Sequence, residues 1–101
     1  MPAQEEIMKA LEVVVDPEIG YNIVDLGLVY DVDIEGGKVL ITMTLTAPGC
    51  PLAGTITEQT RAAAMTVPGV EDVEVALVWE PHWTPDRMSP RLKKMQEMGI
   101  L

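Results

Sequence analysis

Cysteine occurs once in the 101 residues, histidine once and phenylalanine not at all. A single thiol cannot close an internal disulfide, so a disulfide framework is excluded. The expected compartment is the cytoplasm, where a thiol stays reduced. Aromatic residues are 4% of the chain, so the core has to be aliphatic. Positive charge is also scarce: 7 bases stand against 16 acids, a net charge of −9. Nucleic-acid affinity comes largely from neutralising phosphates, and this balance argues against nucleic-acid and anionic-membrane partners. Four of the seven bases (Arg87, Arg91, Lys93 and Lys94) fall near the C-terminus and read as a solvated helix face. No apolar run approaches the ~18 residues that would span a bilayer. The acidic opening Gln4-Glu5-Glu6 does not suit a secretory signal. G-x-G-x-x-G, G-x-x-x-x-G-K-[ST], C-x-x-C, H-E-x-x-H and G-x-S-x-G do not occur, so no nucleotide cofactor, zinc-protease or serine-hydrolase chemistry is indicated.

What the chain does have is a hydrophobic content of 48%, enough for one core, and a length expected of one domain over residues 1–101. Ile7, Leu11, Val14 and Val15 fall at i, i+4, i+7 and i+8, which predicts an amphipathic helix ended by Asp16-Pro17. Leu28, Tyr30, Val32 and Ile34 alternate with Val29, Asp31 and Asp33, the period of a half-buried strand. Gly36-Gly37 supplies a tight turn, and Val39, Ile41, Met43 and Leu45 alternate through a second, antiparallel strand. A helix is predicted from about Pro51 to Thr66, with Leu52, Ile56, Ala63 and Val67 on or near one face. Val73, Val75, Leu77 and Trp79 mark a third strand. Ser89 and Pro90 read as the N-cap and first position of a last helix that runs to Met98 before Gly99. The order α-β-β-α-β-α predicts an α/β (α+β) two-layer sandwich: a three-stranded mixed sheet with helices on one face. A right-handed crossover would set the third strand parallel to the second, and strand order is left open.

The chemistry centres on Cys50, in Pro48-Gly49-Cys50-Pro51 between a strand end and a helix start. Unpaired backbone N–H groups and the positive end of the helix dipole there favour thiolate over thiol. Thiolate is the form that attacks electrophiles and ligates soft metals. A cysteine that merely packs is the other reading of the local pattern. Asp16-Pro17-Glu18 and Asp25-Leu26-Gly27 occupy the irregular stretch after the first helix, where acids beside proline and glycine commonly make turn hydrogen bonds. Their functional reading is as hard ligands, proton acceptors or orienting groups near Cys50. With only Ile19, Ile23, Val24 and Leu26 as anchors, that stretch is expected to be mobile. His82 would form a nucleophilic pair with Cys50 only if the fold made them adjacent. Trp79 reads as core. Trp83, with His82, is the candidate partner surface, since exposed aromatics are enriched at interfaces.

Taken in order and spacing, Asp16-Pro17-Glu18, Asp25-Leu26-Gly27-Leu28-Val29-Tyr30, Thr46-Ala47-Pro48-Gly49-Cys50-Pro51-Leu52 and Glu80-Pro81-His82-Trp83-Thr84-Pro85-Asp86-Arg87-Met88-Ser89 resemble the SufT and PaaD-like family of small iron–sulfur assembly domains. The resemblance covers essentially the whole chain. It implies a compact α/β domain acting in maturation or repair of iron–sulfur proteins, with Cys50 as functional centre and Asp16, Glu18, Asp25 and Thr46 around it. Iron–sulfur clusters usually take four thiolates, and one chain here offers one. The resemblance therefore implies transient handling of a cluster or iron, by a homodimeric carrier or an adaptor between apo-proteins and cluster carriers, without catalytic turnover. Two readings from other classes stand beside it: a thiol enzyme with Cys50 as nucleophile, and a pure interaction module working through Trp83 and the last helix.

Overall fold

A computed structural model describes residues 3–16, 20–45, 53–80 and 83–99. The elements run α1 (Gln4–Leu11), β1 (Val29–Glu35), β2 (Lys38–Met43), α2 (Ala53–Met65), β3 (Asp72–Leu77), a short 3₁₀ turn (Pro85–Arg87) and α3 (Pro90–Glu97). The sheet order is β1-β2-β3, so β2 lies in the middle. β1 pairs antiparallel with β2, and β3 pairs parallel with β2, as the crossover rule requires. Gly36 closes the hairpin at φ +61°, a conformation in which a side chain is strained.

Register decides which side chains meet. Val32 faces Ile41 and Ile34 faces Val39 across the antiparallel pair. Val39 aligns with Val73, Ile41 with Val75 and Met43 with Leu77 across the parallel pair. These residues share one face, on which Val39, Ile41 and Met43 are completely buried. Ile7 and Leu11 of α1 and Ile56, Ala63 and Ala64 of α2 join the same continuous cluster, so both helices cover that side. Asp31, Asp33, Asp72 and Glu74 point from the opposite side to solvent.

Two local details depart from the sequence pattern. Helix α1 ends at Leu11 rather than at Asp16. Glu12 and Val13 form a turn and residues 14–16 pair with 21–23: Val13 and Val15 are exposed while Val14 and Asp16 are buried, and Val15 bridges to Asn22. The Val14 carbonyl accepts from the Ile23 N–H at 2.9 Å, and the Asp16 N–H donates to the Tyr21 carbonyl at 3.0 Å. Val14 is buried under either period, so it could not distinguish them. The second departure is a bulge at Tyr30. Val29 pairs with Met43 but Asp31 already pairs with Thr42, which takes Tyr30 out of the core row.

Beyond Gly20 the stretch is tied to the core. Ile23, Leu26 and Leu28 are completely buried, and Leu26 and Leu28 donate backbone bonds to Asn22 and Ile23. Two outcomes follow for urea unfolding. Ile41→Ala removes buried volume from the middle strand and is expected to cost about 2–5 kcal/mol. Val13→Ala, at a position 74% exposed, is expected to change stability by less than about 0.5 kcal/mol.

Candidate functional site

Four of the sequence-nominated residues, Cys50, Glu18, Thr46 and His82, lie outside the described residues. Their flanks are described. β2 leaves the sheet through Thr44 and Leu45, both buried, and the Thr44 N–H donates to the Leu28 carbonyl at 2.8 Å. The chain that leads to Cys50 therefore departs beside the turn formed by residues 22–28. It resumes at Ala53, the first residue of α2.

Asp16 and Asp25 belong to one structural unit, the small ladder between residues 14–16 and 21–23 and the turn that follows it. Asp16 is 3% exposed, with its backbone carbonyl accepting from Gly20 at 2.7 Å. Asn22 organises the turn. Its side-chain oxygen accepts the Asp25 N–H and its amide donates to the Asp25 carboxylate, each at 2.8 Å. This is the reciprocal Asx geometry that short polar side chains make in turns.

Asp25 then reaches across the chain. Its carboxylate accepts from the Arg91 guanidinium, and its carbonyl accepts from the Ser89 N–H at 2.6 Å. Partial burial pushes the carboxyl up. Hydrogen bonds from Asn22 and Ser89, together with the Arg91 charge, outweigh that and hold it below the usual carboxylate range.

The neighbouring residues of the turn grip the same segment. The Trp83 indole N–H donates to the Leu26 carbonyl at 2.6 Å, and the half-buried ring packs against the core. Gly27 has φ +74°, and a Cβ there would collide with the Arg87 carbonyl oxygen. Arg87 in turn places its guanidinium 4.6 Å from the centre of the Tyr30 ring, within cation–π reach. Ser89 accepts from the Leu92 N–H at 3.4 Å, the N-cap expected of it, and Leu92 is completely buried.

Asp-Leu-Gly and the Trp-Thr-Pro-Asp-Arg-Met-Ser segment, far apart in sequence, thus form one clasp that docks the C-terminal part of the chain. Sequence reasoning did not anticipate the parts played by Asn22, Arg87 and Arg91. Only the Asn22 to Asp25 spacing carried a local signal, that of an Asx turn. No group of three or more potential metal ligands occurs among the described residues.

Comparison with known proteins gives four further findings. The sequence model described as iron–sulfur cluster assembly protein matches residues 4–77. The chain is 58% identical to the Fe–S protein maturation auxiliary factor YitW of Bacillus subtilis, over 85% of each chain. It is 40% identical to an iron–sulfur cluster carrier protein of Synechocystis, over 88% of this chain but only 26% of that one. Among solved structures, a domain of unknown function from Bacillus anthracis superposes with a TM-score of 0.85 at 43% identity, over 97% of this chain and 92% of that one.

The clasp makes two outcomes measurable by urea unfolding. Folding lowers the pKa of Asp25, so its contribution is complete above the unfolded carboxylate value and is lost as pH falls through the lower folded value. Asp25→Asn is expected to lose about 1–2 kcal/mol at neutral pH, and the gap to the parent should close below about pH 4. Gly27→Ala forces both a left-handed backbone and a clash with Arg87, and is expected to cost more than about 2 kcal/mol.

Proposed function

Because the chain belongs to the iron–sulfur cluster assembly protein family, we propose that it is an auxiliary factor that holds iron or a cluster transiently and passes it to apo-proteins through Cys50. The observation that carries this reading is the thiol count. A cluster is usually held by four thiolates, and these 101 residues contribute one. Cargo bound through one protein thiolate needs outside ligands, from a second subunit, a small thiol or the recipient. That is a state suited to hand-over and unsuited to storage.

The chemistry of hand-over asks little of the protein. An incoming client thiol loses its proton and takes the place of the Cys50 thiolate on iron. The departing Cys50 thiolate regains a proton, so charge balances and no electron moves. In sequence Cys50 precedes the start of α2 by three residues, and the positive end of that helix dipole is proposed to favour an ionised sulfur. Asp16, Glu18 and Thr46 are its proposed neighbours. Asp25 serves at one remove, because its carboxylate is occupied by Asn22, Ser89 and Arg91. His82 is proposed to face the partner. Trp83 shares that role only with the part of its ring that the clasp leaves exposed.

The chain spans most of the auxiliary factor it resembles but about a quarter of the cluster carrier. A homodimer would bring two thiolates to one cluster, and a reducing cytoplasm would keep them competent. No described helix is long and apolar enough to cross a membrane.

Anaerobic reconstitution with iron and sulfide, followed by transfer to an apo-ferredoxin, tests the reading. The parent is expected to accelerate transfer, and Cys50→Ser to reduce it to the rate without protein. Equal rates for parent and variant would remove Cys50 from the mechanism.

A further inference from the structure

A groove of about 590 Å³ runs between α1 and the outer edge of β1. Met8, Val24, Val29 and Tyr30 line it, all half-buried, and the first three pack against the core, so this part of its lining is apolar yet open to solvent. Glu5 and Glu12 stand on the helix side and Asp31 on the strand side, with Lys9 the one base among the lining residues. The groove is thus apolar inside and net negative around it.

The backbone along this groove is available for pairing. β1 is an edge strand with β2 on its other side only. The Val32 carbonyl accepts from the Gln4 side-chain amide at 3.1 Å instead of from another strand. A side-chain amide on a mobile stem is a replaceable cap, whereas a paired strand is not. At the other edge of the sheet, the Val73 carbonyl accepts from Arg61 of α2 at 3.3 Å. The two edges are therefore not equivalent.

We propose that this groove binds an extended, lysine- or arginine-bearing segment of a partner protein, which adds as a strand along β1. The incoming backbone N–H displaces Gln4 from the Val32 carbonyl, as in strand addition generally. Alternate side chains point to opposite sides of the added strand. One set meets Met8, Val24 and Val29 on the side that α1 covers, with Glu5 and Glu12 at the helix rim, and the other set meets Asp31 on the opposite side of the sheet. A net charge of −9 disfavours acidic segments throughout and speeds the approach of basic ones. Self-pairing through this edge is opposed by the same carboxylates, which would face each other across a symmetric interface.

This deepens the maturation reading only by describing the client segment. Its test contains no iron, so failure of cluster transfer and failure of peptide binding are separate results. A short fluorescein-labelled peptide alternating lysine and valine would be titrated into the full chain, beside its glutamate–valine counterpart, with anisotropy as readout. The lysine peptide is expected to bind at least tenfold more tightly than the glutamate peptide, and to weaken with added salt. Reversing Glu5, Glu12 and Asp31 together to lysine should cost at least tenfold for the lysine peptide, with urea unfolding confirming the fold. Gln4→Ala removes the cap at an exposed position and should leave binding unchanged or tighter. Amide shift changes on adding peptide should map to α1 and β1. Absence of binding, equal affinity for the two peptides, or shifts confined to the opposite face of the sheet would overturn the proposal. So would groove variants that change only the oligomeric state, which would make a second copy the occupant.

Discussion

The middle strand imposes the arrangement of everything around it. Val39, Ile41 and Met43 leave β2 on the same side and are completely buried, and a strand flanked on both edges can be covered only from its faces. The chain supplies that cover from three directions. α1 brings Ile7 and Leu11, α2 brings Ile56 and Ala64, and the turn after the 14–16 ladder brings Ile23, Leu26 and Leu28. With no phenylalanine to fill volume, the core is assembled from many medium-sized aliphatic side chains. Such a core depends on close fit rather than on a few large anchors. The turn is therefore held in a fixed place by burial, and its polar residues inherit that position. Asp25 can grip Ser89 and Arg91 because Leu26 beside it has nowhere else to go.

The parts of this fold that sequence reasoning could reach are those written locally. The hairpin declared itself through two alternating runs around Gly36-Gly37, and Ser89-Pro90 marked the last helix within a residue. Helix α1 was overextended because Val14 satisfies a period of 3.6 and a period of 2 equally well. Only Val15 distinguishes the two, since the helix would bury it and the extended pairing exposes it, and its exposure is a tertiary fact. The bulge at Tyr30 was invisible for a similar reason, since one inserted residue leaves the composition of the strand unchanged. The clasp was out of reach altogether: Trp83 and Leu26 are 57 positions apart, and Arg91 and Asp25 are 66. The family resemblance rested on both segments without relating them, and the structure relates them: Asp-Leu-Gly and the tryptophan-to-serine segment are two halves of one contact.

That contact changes how the acidic residues near the site should be understood. An aspartate in a motif beside a reactive cysteine invites a role as ligand or base, yet a carboxylate already accepting from Asn22 and Arg91 has few lone pairs to spare. Its depressed pKa argues the same way, because a group held strongly in its charged form is a poor proton acceptor near neutral pH. Asp16 differs in being buried, and the two aspartates should not be expected to behave alike on mutation.

The same division of labour extends to the whole charge distribution. Chemistry resting on one thiolate needs no surrounding field, whereas recognising an unfolded or partly folded client does. A surplus of nine negative charges on so small a chain weakens the compact state by self-repulsion. That cost is offset where acids are used in pairs, as at Asp25. It is not offset at Asp31, Glu5 or Glu12, none of which makes a described ion pair. Acids placed without a partner around an apolar groove raise the energy of the free protein relative to a complex with a basic segment. The repulsion therefore acts as a bias toward association, and it places that association along α1 and β1, while the thiol stands in the connection from β2 to α2.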